Sequence, residues 1–90
     1  STFKQAVSKN KVQLIDVRTT NEYNAGHIKK SKNIDIFSAR FLSEIGKLDT
    51  EKPVYVYCRS GGRSKRASKK ISKLGFKEIY DLKGGILNYN

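Results

Sequence analysis

Apolar positions along the chain follow two different spacings. Short runs rich in β-branched and aromatic residues predict strands at 12–17, 34–36, 54–57 and 76–82. Between these runs, apolar residues recur every three to four positions, which predicts helices. The helical segments lie around Phe3, at 21–25, along the stripe Phe37, Phe41, Ile45 and Leu48, and at 64–74 with Ala67, Ile71 and Leu74 on one face. Gly75 stands where a helix-ending glycine belongs, and a last turn is predicted at 86–89.

Strands that alternate with helices over short connections predict an α/β fold, with a parallel sheet covered by helices on both faces. No repeat, linker or low-complexity segment divides the chain, so we expect residues 1–90 to form a single domain. In parallel sheets of this kind, ligands bind beyond the carboxyl ends of the strands. Cys58 directly follows the strand at 54–57, so its thiol is expected at that edge.

Positive charge dominates the polar positions. The formal net charge is +11, and nine basic residues but no acidic one lie from Lys52 to Lys77. A charge of this size favours an anionic partner, namely nucleic acid, a membrane surface or a small anionic substrate. Because Cys58 lies inside the basic stretch, the thiol and an anion are expected to meet there.

The cysteine count limits the chemistry further. A single cysteine excludes an internal disulfide and argues against a cysteine-based metal cluster, so no metal site is expected. A lone thiol is typical of a reducing compartment, most simply the cytoplasm. No apolar run approaches the roughly 20 residues that a membrane span needs, and the first ten residues lack the apolar core of a signal peptide.

The segment after the third strand has the composition of an anion-binding loop. Gly61 and Gly62 permit positive φ, so that successive backbone N–H groups can point inward. The next helix, expected to begin near Ser64, adds its unpaired N–H groups and positive dipole end. Arg59 and Arg63 add two permanent charges. Each feature favours thiolate over thiol, so we expect Cys58 to be mostly ionised at neutral pH.

Basic residues at the start of this helix break a local rule. Arg63, Lys65 and Arg66 put positive charge in the first turn, where the helix dipole disfavours it by roughly 0.3–1 kcal/mol each at exposed positions. Such violations occur chiefly at functional sites. A bound anion would compensate for the repulsion.

The loop and its flanks resemble the signatures of rhodanese-like domains, in the same order, from about residue 12 to residue 89. The matching segments are Asp16-Val17-Arg18, Glu22-Tyr23, Gly26-His27-Ile28, Asn33-Ile34, Cys58-Arg59-Ser60-Gly61-Gly62-Arg63-Ser64, Gly75-Phe76 and Leu82-Lys83-Gly84-Gly85-Ile86. Two positions depart from the pattern, since Lys30-Ser31 replaces a pair of small residues and Tyr89 replaces a tryptophan. The short first strand of the family would precede Ser1, so either it is missing from this chain or the protein is a minimal version.

The resemblance implies a three-layer α/β/α fold with a central, mainly parallel sheet of four to five strands. It also implies a sulfurtransferase that needs no cofactor, with Cys58 as nucleophile and sulfur carrier. The implied partners are a small anionic sulfur donor such as thiosulfate and a thiol, cyanide or protein acceptor. The implied substrate-binding residues are those of the loop, which hold the persulfide through backbone N–H groups and attract the donor through the arginines: Arg59, Ser60, Gly61, Gly62, Arg63 and Ser64. Which arginine faces the pocket is left open.

Other polar residues near the loop are interpreted as structural. Asp16 ends a strand, and Arg18 and Glu22 are spaced to form a local ion pair, so these three are expected to position the walls around the loop. The resemblance places His27, the only histidine, at a structural turn. Tyr55 and Tyr57 are expected to pack within their strand rather than to stack on bases.

Alternative functions remain beside sulfur transfer. Phosphatases and arsenate reductases of the same fold use Cys-x5-Arg loops to surround a tetrahedral oxyanion, whereas Cys58 to Arg63 is Cys-x4-Arg. A non-catalytic interaction module is a second alternative, although degenerate members generally lose the cysteine. Nucleic-acid binding through the basic 65–73 face gains no support from the family, and neither nucleic acid nor a membrane is expected as a partner.

Overall fold

Strands and helices alternate along the chain. The structure is a computed structural model that describes residues 2–9 and 12–89. The elements in chain order are α1 (Thr2–Lys9), β1 (Gln13–Asp16), α2 (Thr20–Ala25), β2 (Lys32–Asn33), α3 (Phe41–Ile45), β3 (Val54–Tyr57), α4 (Gly62–Ser72), β4 (Ile79–Asp81) and a 3-10 turn (Ile86–Asn88). The predicted α/β architecture is therefore confirmed. In the part of the chain that the structure describes, no helix is long and apolar enough to cross a membrane.

The described strands form one parallel sheet in the order β2-β1-β3-β4. In this register Asp16 lies opposite Tyr57, and Val56 lies opposite Asp81. The carboxyl ends of β1, β3 and β4 therefore meet at one edge of the sheet. Cys58 follows β3 at that edge, as the sequence predicts.

Side chains alternate between the two faces of the sheet, and both faces are covered. Val54 and Val56 of β3 pack into a cluster with residues of α3 and α4. Tyr55 and Tyr57 belong to a second cluster, which includes Phe3 of α1. Each fully buried aliphatic side chain contributes about 1.5–3 kcal/mol relative to its exposed state. The three-layer arrangement follows from this alternation, since each face of the sheet must bury its own apolar set.

The second strand is shorter and earlier than predicted. The prediction placed it at 34–36, whereas the paired residues are Lys32 and Asn33. Ile34 and Ile36 still run beside β1, because their N–H groups donate to the carbonyls of Asp16 and Val17 at 2.9 and 3.1 Å. The apolar pattern at 34–36 correctly marks buried residues, Ile34 and Ile36. These residues follow directly after the regular strand pairing ends at Asn33.

The helix predicted from Phe37 begins four residues later, at Phe41. The Asp35 carboxylate accepts a hydrogen bond from the Phe37 N–H at 2.9 Å, and this local turn holds the preceding segment out of the helix. Phe37 is consequently 66% exposed instead of lying on the buried stripe. Phe41 and Ile45 are buried as predicted.

The ends of α4 also differ from the prediction. The helix begins at Gly62 rather than near Ser64 and ends at Ser72. Leu74 lies beyond its last turn and is 36% exposed, although Ala67 and Ile71 are fully buried. The fourth strand is likewise confined to Ile79–Asp81 within the predicted 76–82.

Candidate active site

The loop between β3 and α4 surrounds a buried thiol. Cys58 is only 1% exposed, and the N–H of Gly61 donates to its Sγ at 3.0 Å. Gly61 has a φ of +115°, a left-handed conformation that turns the chain into the helix and that few side chains tolerate. Arg63 and Ser64 therefore lie in the first turn of α4, where N–H groups have no partner within the helix.

Two opposing effects act on the thiol. Burial by itself raises the pKa of Cys58, because it penalises the charged form. The Ser64 hydroxyl and the backbone N–H groups of Ser64, Gly61 and Arg63 donate hydrogen bonds that favour the thiolate. These hydrogen bonds together outweigh burial, so the pKa of Cys58 lies below its ordinary value. The direction agrees with the expectation from the sequence.

Loop residues that the sequence marked as substrate-binding divide into two groups. The side chains of Arg59 and Ser60, like Gly62, are exposed at the surface of the loop. Gly61, Arg63 and Ser64 supply N–H groups directed at the sulfur. The six residues thus stay together beside Cys58, and the backbone N–H groups of the second group act on its sulfur.

Arg63 is held by a carboxylate from a distant part of the chain. Its two terminal nitrogens donate to the two carboxylate oxygens of Glu22 at 2.6 and 2.8 Å, a bidentate pair. The pKa of Arg63 is raised, first by the hydrogen bond to Glu22 and also by the charge of Cys58. Arg63 is therefore anchored by a carboxylate and interacts electrostatically with the thiol.

The ion pair predicted between Arg18 and Glu22 is wrong. Arg18 instead pairs with Asp16, with Nη2 at 2.6 Å from Oδ2, and both residues are buried. Arg18 also donates to the carbonyl of Gly26 at 2.6 Å, and its guanidinium lies 5.7 Å from the centre of the Tyr57 ring. By spacing alone, Arg18 could pair with Asp16 or with Glu22. At the end of β1, the carboxylate of Asp16 lies within reach of the Arg18 guanidinium.

Acid titration should report the Glu22–Arg63 pair. The hydrogen bond from Arg63 lowers the pKa of Glu22 from the ordinary 4.5 to about 2. A pKa lowered by folding gives stability that is complete above pH 4.5 and is lost as the pH falls towards 2. We expect Glu22→Gln, which keeps the helix-capping geometry at Thr19, to unfold at lower urea than the wild type near pH 6. The two midpoints should converge between pH 4.5 and 2. A gap that does not change with pH would contradict the assignment.

The remaining aromatic and histidine residues pack rather than face the thiol. His27 is exposed, stacks on Tyr23 with ring centres 3.7 Å apart, and its Nδ1 lies 2.8 Å from the Tyr23 carbonyl. The buried Tyr57 hydroxyl accepts from the N–H of Ile28 at 3.0 Å and hydrogen-bonds Ser31 Oγ at 2.9 Å. Burial raises the pKa of Tyr57 to about 12. Tyr57 therefore stays neutral and supports the strand that carries Cys58.

Sequence reasoning missed the support on which the loop rests. The N–H of Ile86 donates to the carbonyl of Cys58 at 2.9 Å, and the N–H of Leu87 donates to the carbonyl of Arg59 at 3.2 Å. Gly85 precedes them with a φ of +67° and lies directly against the loop backbone. The sequence did mark 83–85 as a turn, but nothing in it showed that the turn contacts Cys58.

Gly85→Ala should disturb the loop. A Cβ at this position would overlap the Arg59 carbonyl and lie 2.6 Å from the Cys58 carbonyl oxygen, so backbone must move. We expect the variant to lose more than about 1 kcal/mol of stability and to alter the alkylation rate of Cys58. Gly75→Ala is the matched control, because Gly75 also has a positive φ, +91°, but a Cβ there meets nothing within 4 Å. The control should lose stability without changing the thiol, and equal effects on the thiol would contradict the proposed contact.

Within the described ranges 2–9 and 12–89, no group of three or more His, Cys, Asp or Glu residues is placed so that it could hold a metal ion. The site consists of one thiol, backbone donors, the Ser64 hydroxyl and an arginine. Such a site can stabilise a thiolate and bind a small anion beside it.

Comparison with known proteins gives a consistent family. The family model described as "Rhodanese-like domain" matches residues 1–90. The chain is 45% identical over 75 residues to YqhL of Bacillus subtilis, and this match covers 83% of the chain and 58% of YqhL. It is 44% identical over 77 residues to a tRNA uridine(34) hydroxylase of Pelagibacter ubique, covering 84% of the chain but 26% of that protein. The chain thus spans only part of these two relatives.

Two further similar proteins are matched over more of their own length. The thiosulfate sulfurtransferase GlpE of Coxiella burnetii is 36% identical over 81 residues, which are 90% of this chain and 74% of GlpE. The solved rhodanese-related protein of Thermoplasma volcanium superposes with a TM-score of 0.81 at 30% identity, over 97% of this chain and 82% of that one. Sequence and fold therefore point to the same family.

Proposed function

Because the chain belongs to the rhodanese-like domain family, we propose that it is a sulfurtransferase that carries a sulfane sulfur as a persulfide on Cys58. The observation that carries the proposal is the buried thiol, whose pKa is lowered by hydrogen bonds within a Cys-x4-Arg loop. A relative 36% identical over most of this chain is named a thiosulfate sulfurtransferase, which supports the same chemistry.

The proposed reaction has two steps that share one intermediate. The Cys58 thiolate attacks the outer sulfur of thiosulfate, a new S–S bond forms, and sulfite leaves with the electron pair of the broken bond. A thiolate or cyanide acceptor then attacks the outer sulfur of the persulfide, and Cys58 leaves again as thiolate. The same N–H groups serve both steps, because each begins or ends with negative charge on the Cys58 sulfur.

Charge and exposure suggest how the loop residues divide this work. Gly61, Arg63 and Ser64 hold the persulfide through their N–H groups, and Arg63 adds a fixed positive charge oriented by Glu22. Arg59 lies exposed on the loop and attracts the anionic donor. The buried Asp16–Arg18 ion pair stabilises the edge of the sheet on which these loop residues lie.

Other activities have weaker support. A phosphatase or arsenate reductase must enclose a tetrahedral oxyanion, and the loop here is one residue shorter than theirs. The chain spans 26% of the tRNA uridine(34) hydroxylase that it resembles, so we do not extend that activity to it. We place the protein in the cytoplasm, where a reducing environment keeps a reactive lone thiol free.

Intact mass spectrometry tests the proposal. Incubation with thiosulfate should add one sulfur atom, about 32 Da, which peptide mapping should locate on Cys58. Addition of a low-molecular-weight thiol should remove the added mass, as transfer requires. A parallel assay with a phosphate ester should give no turnover. Absence of the adduct with thiosulfate and with polysulfide, together with hydrolysis of the ester, would overturn the proposal.

A further inference from the structure

The carboxyl group of Asp81 contacts the loop that holds the thiol, through the hydroxyl group of Ser64. Asp81 is the last residue of β4, and its Oδ1 lies 2.5 Å from the Oγ of Ser64. Ser64 is fully buried, and its hydroxyl is one of the groups that lower the pKa of Cys58. The proposed function uses Ser64 and Cys58 but gives Asp81 no role.

The Ser64 hydroxyl has one proton and several acceptors. These are Asp81 Oδ1 at 2.5 Å, the Gly61 carbonyl at 3.2 Å and the Cys58 sulfur. An ionised carboxylate at this distance is the strongest acceptor and takes the proton. A protonated Asp81 instead donates to Ser64, whose own proton is then available to the sulfur.

We propose that Asp81 is a positioning residue that acts through Ser64: its ionised form holds the Ser64 proton away from Cys58, and its neutral form releases that proton to the sulfur. The role in catalysis rests on the proposed function. There, the released proton stabilises Cys58 as the leaving thiolate when an acceptor takes the outer sulfur. The hydrogen-bond arrangement itself can be tested on the free thiol.

The charged groups around Asp81 are consistent with a carboxyl that changes its protonation state. Asp81 is exposed at one side, and partial desolvation of its carboxyl against the loop raises its pKa above the ordinary 3.8, while Ser64 and Lys65 act in the opposite direction. Lys83 lines a cavity of about 430 Å³ together with Lys65 and Asp81. On the other side, Tyr55 and Tyr80 line a cavity that also reaches Asp81. The net effect is a raised pKa, so the neutral form of Asp81 is favoured more than in a free carboxyl.

The test is the pH profile of Cys58 alkylation in the variant Asp81→Asn. The asparagine amide donates to the Ser64 oxygen, so the Ser64 hydroxyl proton is available to the thiolate. The pH midpoint of Cys58 alkylation should therefore fall by about one pH unit, the effect of one hydrogen bond to a charged group. In a Ser64→Ala background, the same substitution should shift the midpoint by less than half as much. Asp81→Ala, which removes the acceptor altogether, should also lower the midpoint and serves if the asparagine variant does not fold.

Glu51→Gln is the matched control, because it removes one negative charge from an exposed ion pair with Lys77. It should leave the midpoint unchanged. An Asp81 effect equal in both backgrounds would mean direct charge repulsion and overturn the relay, as would no shift. Since alkylation needs no sulfur transfer, failure of this test is distinct from failure of the thiosulfate experiment.

Discussion

Cys58→Ser is expected to lower the rate of thiocyanate formation from thiosulfate and cyanide by at least about a thousandfold, the scale on which removal of a catalytic nucleophile acts. A serine hydroxyl does not ionise near neutral pH, and its oxygen cannot form the persulfide. The variant should therefore also show no mass increase with thiosulfate. The rate is measured with donor and acceptor both in excess, so that binding does not mask the loss.

The serine variant should keep its fold, which makes the loss interpretable. The hydroxyl is close to the thiol in size and can accept the Gly61 N–H that now bonds Sγ at 3.0 Å. An unchanged far-ultraviolet spectrum and a small shift in urea midpoint are the controls. Turnover within tenfold of wild type in a folded Cys58→Ser protein would remove Cys58 from the reaction.

Asp16→Ala is expected to reduce the free energy of unfolding by about 3–5 kcal/mol, because it leaves the buried Arg18 without its counter-charge. Asp16 is 0% exposed and Arg18 6% exposed, so water cannot replace the lost partner. The substitution also removes the acceptor of the Arg18 N–H at 2.9 Å. Urea unfolding at neutral pH measures the loss.

A double variant distinguishes an unpaired charge from simple loss of packing. Asp16→Leu combined with Arg18→Met removes both charges, and it should recover much of the stability lost in Asp16→Ala. Glu44→Ala breaks an exposed pair with Lys47 and should change the midpoint far less. A loss in Asp16→Ala no larger than that of Glu44→Ala would show that the buried pair does not stabilise the fold.

The Glu22–Arg63 pair explains how a basic loop can be held in one conformation. Arg63 and Lys65 lie in the first turn of α4 and Arg66 directly follows it, with no acidic residue in that turn to offset them. Glu22 of α2 supplies the missing negative charge by pairing with Arg63. It therefore does not pair with Arg18, the partner that the sequence spacing suggested. The anion that the sequence predicts near the helix start is thus partly provided by the protein itself.

The sequence by itself determined the order of the elements, the position of the thiol and the chemical character of its loop. These follow from local properties: apolar spacing selects strand or helix, and glycine and arginine next to Cys58 define an anion-binding turn. Local spacing was less reliable at element ends, where Phe37 and Leu74 were assigned to buried faces but lie exposed. There, turn hydrogen bonds and helix termination override the apolar pattern.

Only the tertiary structure decided which groups meet around the thiol. Glu22 and Arg63 are 41 residues apart, and Ser64 and Asp81 are 17 apart. Neither pair could be chosen from a chain with 19 basic and 8 acidic residues, since strand order and register set the distances. The same holds for Gly85, whose contact with the loop exists because β4 lies beside β3 and returns the chain beneath Cys58. Cys58 was therefore predicted as the candidate nucleophile from its neighbours in sequence, whereas the groups that contact its loop are neighbours only in space.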